Sequence, residues 1–244
     1  MKLAALRPRD PLRWLCLGWR DFLRCPRIGL FYGLCFLAMG HALMAVFRSA
    51  PAYVLALSAG FLLLGPFLCL GLYDASRALE HGERPTLRRS LVAWRPTLRS
   101  MAIFAGLLLI LEMLWGRASL VVFAVSFNTM PSTEKLLTQL FDPHNIEFLI
   151  AYTVVGGVFA GLIFVTSAIS IPMILDRQVD AVSAGLTSIR ACLENPGVML
   201  WWGALITALI VLAMLPFFLG LLVVGPLLGH ATWHAYRQIL PPQA

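Results

Sequence analysis

The chain has 244 residues, of which 59% are hydrophobic and 13% charged, with a formal net charge of +7. A soluble globular domain carries about 25% charged residues, so one water-solvated core cannot bury this much apolar surface and lipid must be the solvent. Nucleic-acid binding is not the expected use of the basic balance, because the positive charge flanks hydrophobic stretches, where it more often sets membrane orientation and meets anionic head groups.

A membrane-crossing helix needs about 20 apolar residues. Residues 1–27 form a basic amphipathic segment whose apolar face holds Trp14, Leu15, Trp19, Phe22 and Leu23, ending at Cys25-Pro26. The first span is Ile28 to Phe47 and the second is Ala52 to Tyr73. Leu87, Leu91 and Trp94 form a second amphipathic stretch before Arg95-Pro96. The third span, Met101 to Val125, is interrupted by Glu112 and Arg117. The loop Ser126 to Glu147 leads to a fourth span, Phe148 to Leu175. A third amphipathic stretch, with Val179, Val182, Leu186, Ile189 and Leu193 at helical spacing, precedes Asn195-Pro196. The apolar run from Val198 to Trp233 is 36 residues long. As one helix it would reach roughly 54 Å against a ~30 Å hydrocarbon core. Pro216 stands in its middle and splits it into a fifth span ending near Leu215 and a sixth starting near Phe217. The expected fold is all-α: a polytopic membrane helical bundle of six transmembrane helices over residues 28–237, three interfacial amphipathic helices, and a short tail at 238–244.

Arginine and lysine set the orientation. Of the 19 Lys and Arg residues, 16 fall in the segment before the first span, the link between the second and third, the link between the fourth and fifth, and the tail. Both termini are therefore expected on the cytoplasmic side. The five cysteines form no CxxC pair and read as reduced structural thiols.

The even spans repeat. Gly60-Phe-Leu-Leu-Leu-Gly65-Pro66 lies over Gly220-Leu-Leu-Val-Val-Gly225-Pro226, and the register holds through Tyr73 against Trp233 and Arg77 against Arg237. The odd spans share a start, since Cys25-Pro26 reaches Gly33 at the spacing by which Asn195-Pro196 reaches Gly203. The inferred unit is amphipathic helix, proline, span, tight turn, span, and it occurs three times. The Gly-Pro pairs should kink their helices, and Gly157/Gly161 and Gly225/Gly229 have the spacing of close helix contacts.

Candidate chemistry is sparse. His230 and His234 share one helix face and could hold a metal or haem, but no third ligand stands near them. Hydrogen bonding or head-group contact is the plainer reading of this pair and of the interfacial motif around it: Tyr73, Asp74, Arg77, Trp233 and Arg237. Glu112 and Arg117 are ionisable groups within a span, a pattern that marks solute or proton paths; an ion pair between them, or snorkelling of Arg117 to the outer interface, is the alternative. Asp74 with Arg77, and Asp176 with Arg177 and Asp180, read as salt bridges at helix ends. No GxSxG, HExxH, P-loop or Rossmann glycine pattern occurs. The sequence thus implies no catalytic residue, no metal and no cofactor.

Three stretches carry a family resemblance: Gly65 to Glu83, Met173 to Ala181, and the ending Gly229-His-Ala-Thr-Trp-His-Ala-Tyr-Arg237. Together they resemble a bacterial family of integral membrane proteins of unknown function, some of whose members carry the label of a cytochrome c oxidase subunit. The resemblance runs from about Pro26 to the C-terminus and implies a bacterial inner-membrane protein. It leads to an accessory, assembly or scaffold component of a membrane-protein partner complex, with a respiratory oxidase implied by the family label. Two alternatives stand beside it: a small-solute or ion transporter using Glu112, and a membrane-organising module in which Arg88, Arg89 and Arg95 hold anionic lipid head groups. Membrane lipid is the expected partner in each case, and nucleic acid in none.

Overall fold

The computed structural model of the protein describes residues 3–49, 54–126 and 146–241, and all regular structure among them is helical. In chain order the helices are α1 (Asp10–Arg24), α2 (Pro26–Ser49), α3 (Val54–Glu80), α4 (Leu87–Leu91), α5 (Leu98–Ser126), α6 (Ile146–Ser167), α7 (Ser170–Arg177), α8 (Ala181–Glu194), α9 (Pro196–Met214) and α10 (Leu221–Ile239), with a 3-10 turn at Arg95–Thr97 before α5. Six of these helices have at least 19 residues. Four stretches are both long and apolar enough to cross a membrane: Pro26–Ser49, Leu87–Ser126, Ile146–Arg177 and Pro196–Met214. The chain is an all-helical membrane bundle. Most of the loop from Ser126 to Glu147, and part of the Gly60–Pro66 stretch, lie outside the residues whose side chains are described.

Prolines punctuate the chain as their chemistry requires. Pro26 and Pro196 open α2 and α9, where a missing N–H is harmless. Pro216 ends the apolar run between α9 and α10. Phe217 and Phe218 turn the chain there in left-handed conformations with φ of 51° and 65°, and the Gly220 N–H closes the turn on the Ala213 carbonyl at 3.1 Å. α3 and α10 instead run on past Pro66 and Pro226 without interruption.

The fourth expected span is broken. α6 stops at Ser167 and α7 begins at Ser170, because Pro172 can neither donate to the carbonyl of Ala168 nor sit beside it. Ser188 of α8 fills the gap: its hydroxyl donates to the Val165 carbonyl at 2.7 Å and accepts from the Ile169 N–H at 3.4 Å. The Val165 carbonyl and the Ile169 N–H, parted by the break, are thereby satisfied within the protein, as hydrocarbon surroundings demand.

α1 does not float free in the interface. It lies along α10, and Gly18 lets the two backbones touch: a Cβ at this position would stand 2.6 Å from the Ala231 nitrogen. Trp14, fully buried, meets Trp202 of α9 edge to face at 5.4 Å and donates to Gln238 at 2.8 Å. The first described residues follow the same groove, with the Ala4 N–H on the Ile239 carbonyl and the Leu6 N–H on the Asn195 side chain, both at 3.0 Å.

Overpacking a close backbone contact costs about 1–3 kcal/mol. Gly18→Val should lower the unfolding temperature of the detergent-solubilised protein by several degrees. Gly185→Ala on α8, where a Cβ meets nothing within 4 Å, should leave it unchanged.

Candidate functional site

The polar chemistry gathers at the arginine-rich end of the bundle. Asp21 stands on the face of α1 that carries Trp14, Gly18 and Phe22, so its carboxylate is driven inward and is only 5% exposed. It accepts from the Ser76 hydroxyl of α3 and lies on His234 Nε2 of α10, both at 2.8 Å. Burial alone would raise its pKa. The hydrogen bond and charge of His234, then Ser76, outweigh burial and hold the carboxyl below its usual value of 3.8.

Ser76 has one proton and gives it to Asp21, so at its 2.7 Å contact with His230 the imidazole Nδ1 must be the donor. Nε2 of His230 then faces the Cys25 thiol at 4.0 Å. The thiol donates to the Asp21 carbonyl at 3.2 Å, and burial with the Asp21 charge pushes it up to about 12. Serine, histidine and aspartate meet here without forming a nucleophilic triad. The hydroxyl proton points at the carboxylate instead of the imidazole, and Ser76 is 1% exposed, out of reach of a substrate. Among the described residues no three His, Cys, Asp or Glu side chains converge as a metal site.

A second lattice ties together the ends of α3, α7 and α10. Asp74 pairs with Arg77 at 2.7 Å and Arg89 at 3.2 Å. Arg237 reaches Glu80 at 2.6 Å and Asp176 at 3.3 Å, and lies 5.8 Å over the Trp233 ring. The Trp233 indole donates to Glu80, and the Tyr236 hydroxyl donates to Asp176 at 2.6 Å. Arg177 binds the Tyr236 oxygen and the carbonyls of Leu240 and Pro241. Asp180 joins neither lattice and caps α8 through the Ser183 N–H. Tyr73 is buried, 4% exposed, in the core beside Trp233 and Tyr236.

The other sequence candidates fall apart. Glu112 accepts from Ser58 of α3 at 3.0 Å, and no ion pair joins it to exposed Arg117 among the described residues. Five residues along a helix turn two side chains about 140° apart, so the ion-pair alternative has no geometric basis. Of the three head-group candidates, Arg88 and Arg95 are exposed, whereas Arg89 is occupied by Asp74 and Glu83. Gly157 and Gly161 face open space, while Gly225 meets Phe36 and Gly229 meets Leu72.

The amphipathic helices carry three faces where the sequence suggested two. On α1, Trp14 and Phe22 pack inward, whereas Trp19 and Leu23 of the same apolar set are 44% and 58% exposed, beside Leu12, outside that set, at 50%. Arg13, Arg20 and Arg24 follow one position later along the helix, also exposed. On α8 the inward face is small, with Ala184, Gly185, Ser188 and Ala191. Val182, Leu186 and Leu193 point out at 65%, 62% and 73% exposure. Leu91 and Val92 at the end of α4 are exposed too.

The sequence model of a family described as predicted integral membrane proteins (DUF2189) matches residues 54–176, just over half of the chain. The chain belongs to this family. The DUF2189 match runs from α3 into α7, so it contains Gly65 to Glu83, the start of the Met173 to Ala181 stretch, Asp74, Arg77 and Glu112, and leaves α1, α2 and α8 to α10 outside. No curated protein and no solved structure matches the chain.

Asp21, Ser76, Glu80 and Asp176 are the residues that sequence reasoning passed over or undervalued. Asp21 alone left a signal, as an acid at inward spacing from Trp14 and Gly18 on an otherwise arginine-rich helix.

A depressed carboxylate pKa contributes stability that is fully present above the unfolded value of ~3.9 and is lost as pH falls through the folded value. Thermal melts of the wild type should therefore fall away as pH drops below about 4. Asp21→Asn should be less stable than the wild type at pH 7, and the gap between the two should narrow on acidification.

Proposed function

We propose that this protein grips the anionic leaflet of its membrane and organises the lipid around it, with no catalytic step. The three-sided build of α1 carries this reading. One side is welded to α10, one is an apolar stripe with a tryptophan, and one is a row of arginines. A helix lying in the head-group layer has this distribution, its apolar residues dipping into the acyl boundary and its cations meeting lipid phosphate. Positive charge at this end supports a cytoplasmic position for it.

We read α1–α2 and α8–α9 as two copies of one unit. At a constant offset of 170 residues, Leu12, Cys16, Trp19 and Leu23 fall on Val182, Leu186, Ile189 and Leu193, and Cys25-Pro26 falls on Asn195-Pro196. Three of these four positions face outward in both copies, and Ile189 is half-buried where Trp19 is exposed. A second interfacial helix with the same register supports a protein that holds the leaflet at two places. Its arginine row is weaker, since Arg190 is paired with Glu194 at 2.7 Å. The transporter reading has the Ser58–Glu112 bond behind it, which is an ordinary link between neighbouring helices.

Each Arg near an anionic surface contributes about 1 kcal/mol of attraction. Discs cut from the native membrane by a polymer, with lipids counted by mass spectrometry, should show anionic lipid enriched several-fold over the bulk membrane. The combination Arg9→Gln, Arg13→Gln, Arg20→Gln and Trp19→Ser should bring it close to the bulk value, while Glu112→Gln should leave it unchanged. Bulk composition around the wild type would refute the proposal. A protein partner recovered in fixed ratio from the same discs would make the chain an accessory component instead.

A further inference from the structure

A cavity of about 430 Å3 opens where α1 turns into α2. It is lined by Arg24, Cys25, Arg27, Leu79, Glu83 and Arg84, so that α2 and the link from α3 to α4 face each other across it. Its size is within the range of small-molecule sites. Arg24, Arg27 and Arg84 are exposed at its mouth, and none is ion-paired among the described residues. The one carboxylate on the wall, Glu83, is engaged by Arg89. The Cys25 thiol is neutral at physiological pH, because burial pushes it up to about 12. Three arginines thus line one cavity whose carboxylate is already paired, beside the positive end of the 24-residue helix α2. Guanidinium forks of this kind match phosphate oxygens.

The ligand class follows from what lies below. On α2 the face that carries Arg27 continues two turns on to Leu34, with Leu30 beside it, and these leucines are 41% and 56% exposed for Leu30 and Leu34 respectively. An anion seated among the arginines would have an open apolar track at its back. A zwitterionic head group brings its own cation and would leave the guanidiniums uncompensated.

We propose that this cavity is the head-group site for one anionic glycerophospholipid, its phosphate held by Arg24, Arg27 and Arg84 and a chain laid along Leu30 and Leu34. The site rests on the anionic-leaflet reading above and deepens it by naming where a single lipid binds.

Titration of the detergent-solubilised full chain with phosphatidylglycerol, read by native mass spectrometry, tests it. The wild type should take up one phosphatidylglycerol saturably and phosphatidylcholine at least tenfold more weakly. Each arginine neutralised should cost about fivefold in affinity, so Arg84→Gln alone is a measurable step and Arg24→Gln/Arg27→Gln/Arg84→Gln together lose about a hundredfold. Arg88→Gln/Arg95→Gln should change little. Leu30→Ser/Leu34→Ser should weaken phosphatidylglycerol and leave any binding of inorganic phosphate as it was. Equal affinity for the two lipids, or saturable binding that survives in Arg84→Gln and in the triple variant, would overturn the site. Displacement of the lipid by millimolar inorganic phosphate would assign the cavity to free phosphate and overturn the lipid. Anionic enrichment in native discs without a saturable site in the titration would sink this proposal alone. Loss of both would sink the broader reading with it.

Discussion

The arginine-rich end of the molecule is assembled on Asp21. A carboxylate taken out of water loses several kcal/mol of hydration, and it is stable only where donors replace the lost water. Ser76 and His234 supply them at 2.8 Å, and they come from two different helices. Asp21 therefore fixes α1 to α3 and to α10 together. It is the polar pin in a seam that apolar packing also closes. With it, the helix has one rotation, and that rotation decides which residues face lipid. Gly18 and Trp14 add close contact to the same seam.

A consequence is that the apolar residues of α1 are divided between two solvents. Trp14 and Phe22 are solvated by protein, and Leu12, Trp19 and Leu23 are left to something else. On α8 the division is sharper, since the small residues face the protein and the large ones face out. A water-exposed row of this kind would be an aggregation hazard. In a bundle with four stretches fit to cross a membrane, the acyl boundary is the natural place for it.

Element positions were legible because the signals are local. Runs of apolar residues, Pro26, Pro196 and Pro216, and the arginine flanks placed the helix starts to within a few residues, while α3 and α10 run on past Tyr73 and Trp233 to Glu80 and Ile239. The break at Ala168 was hidden, because Pro172 looks much like Pro226, past which the helix continues. What distinguishes them is Ser188, some twenty residues away in sequence. The site was legible only in part, for a similar reason. Asp74 with Arg77 is a one-turn pair and can be read from spacing. Glu80 with Arg237, or Asp21 with Ser76 and His234, depends on which helix ends meet. Periodicity also cannot tell protein from lipid as an apolar neighbour, and the faces of α1 were merged on that account.

The Ser188 clasp bears on the order of events as the chain is made. Ile169 and Val165 need the hydroxyl that follows them by 19 and 23 residues. These backbone groups leave the ribosome well before their partner does. Until α8 has been synthesised and folded back, these two groups stand four residues apart with each other as partners, in the ordinary helical bond that the hydroxyl later replaces. The break between α6 and α7 therefore takes its final form only once α8 is in place.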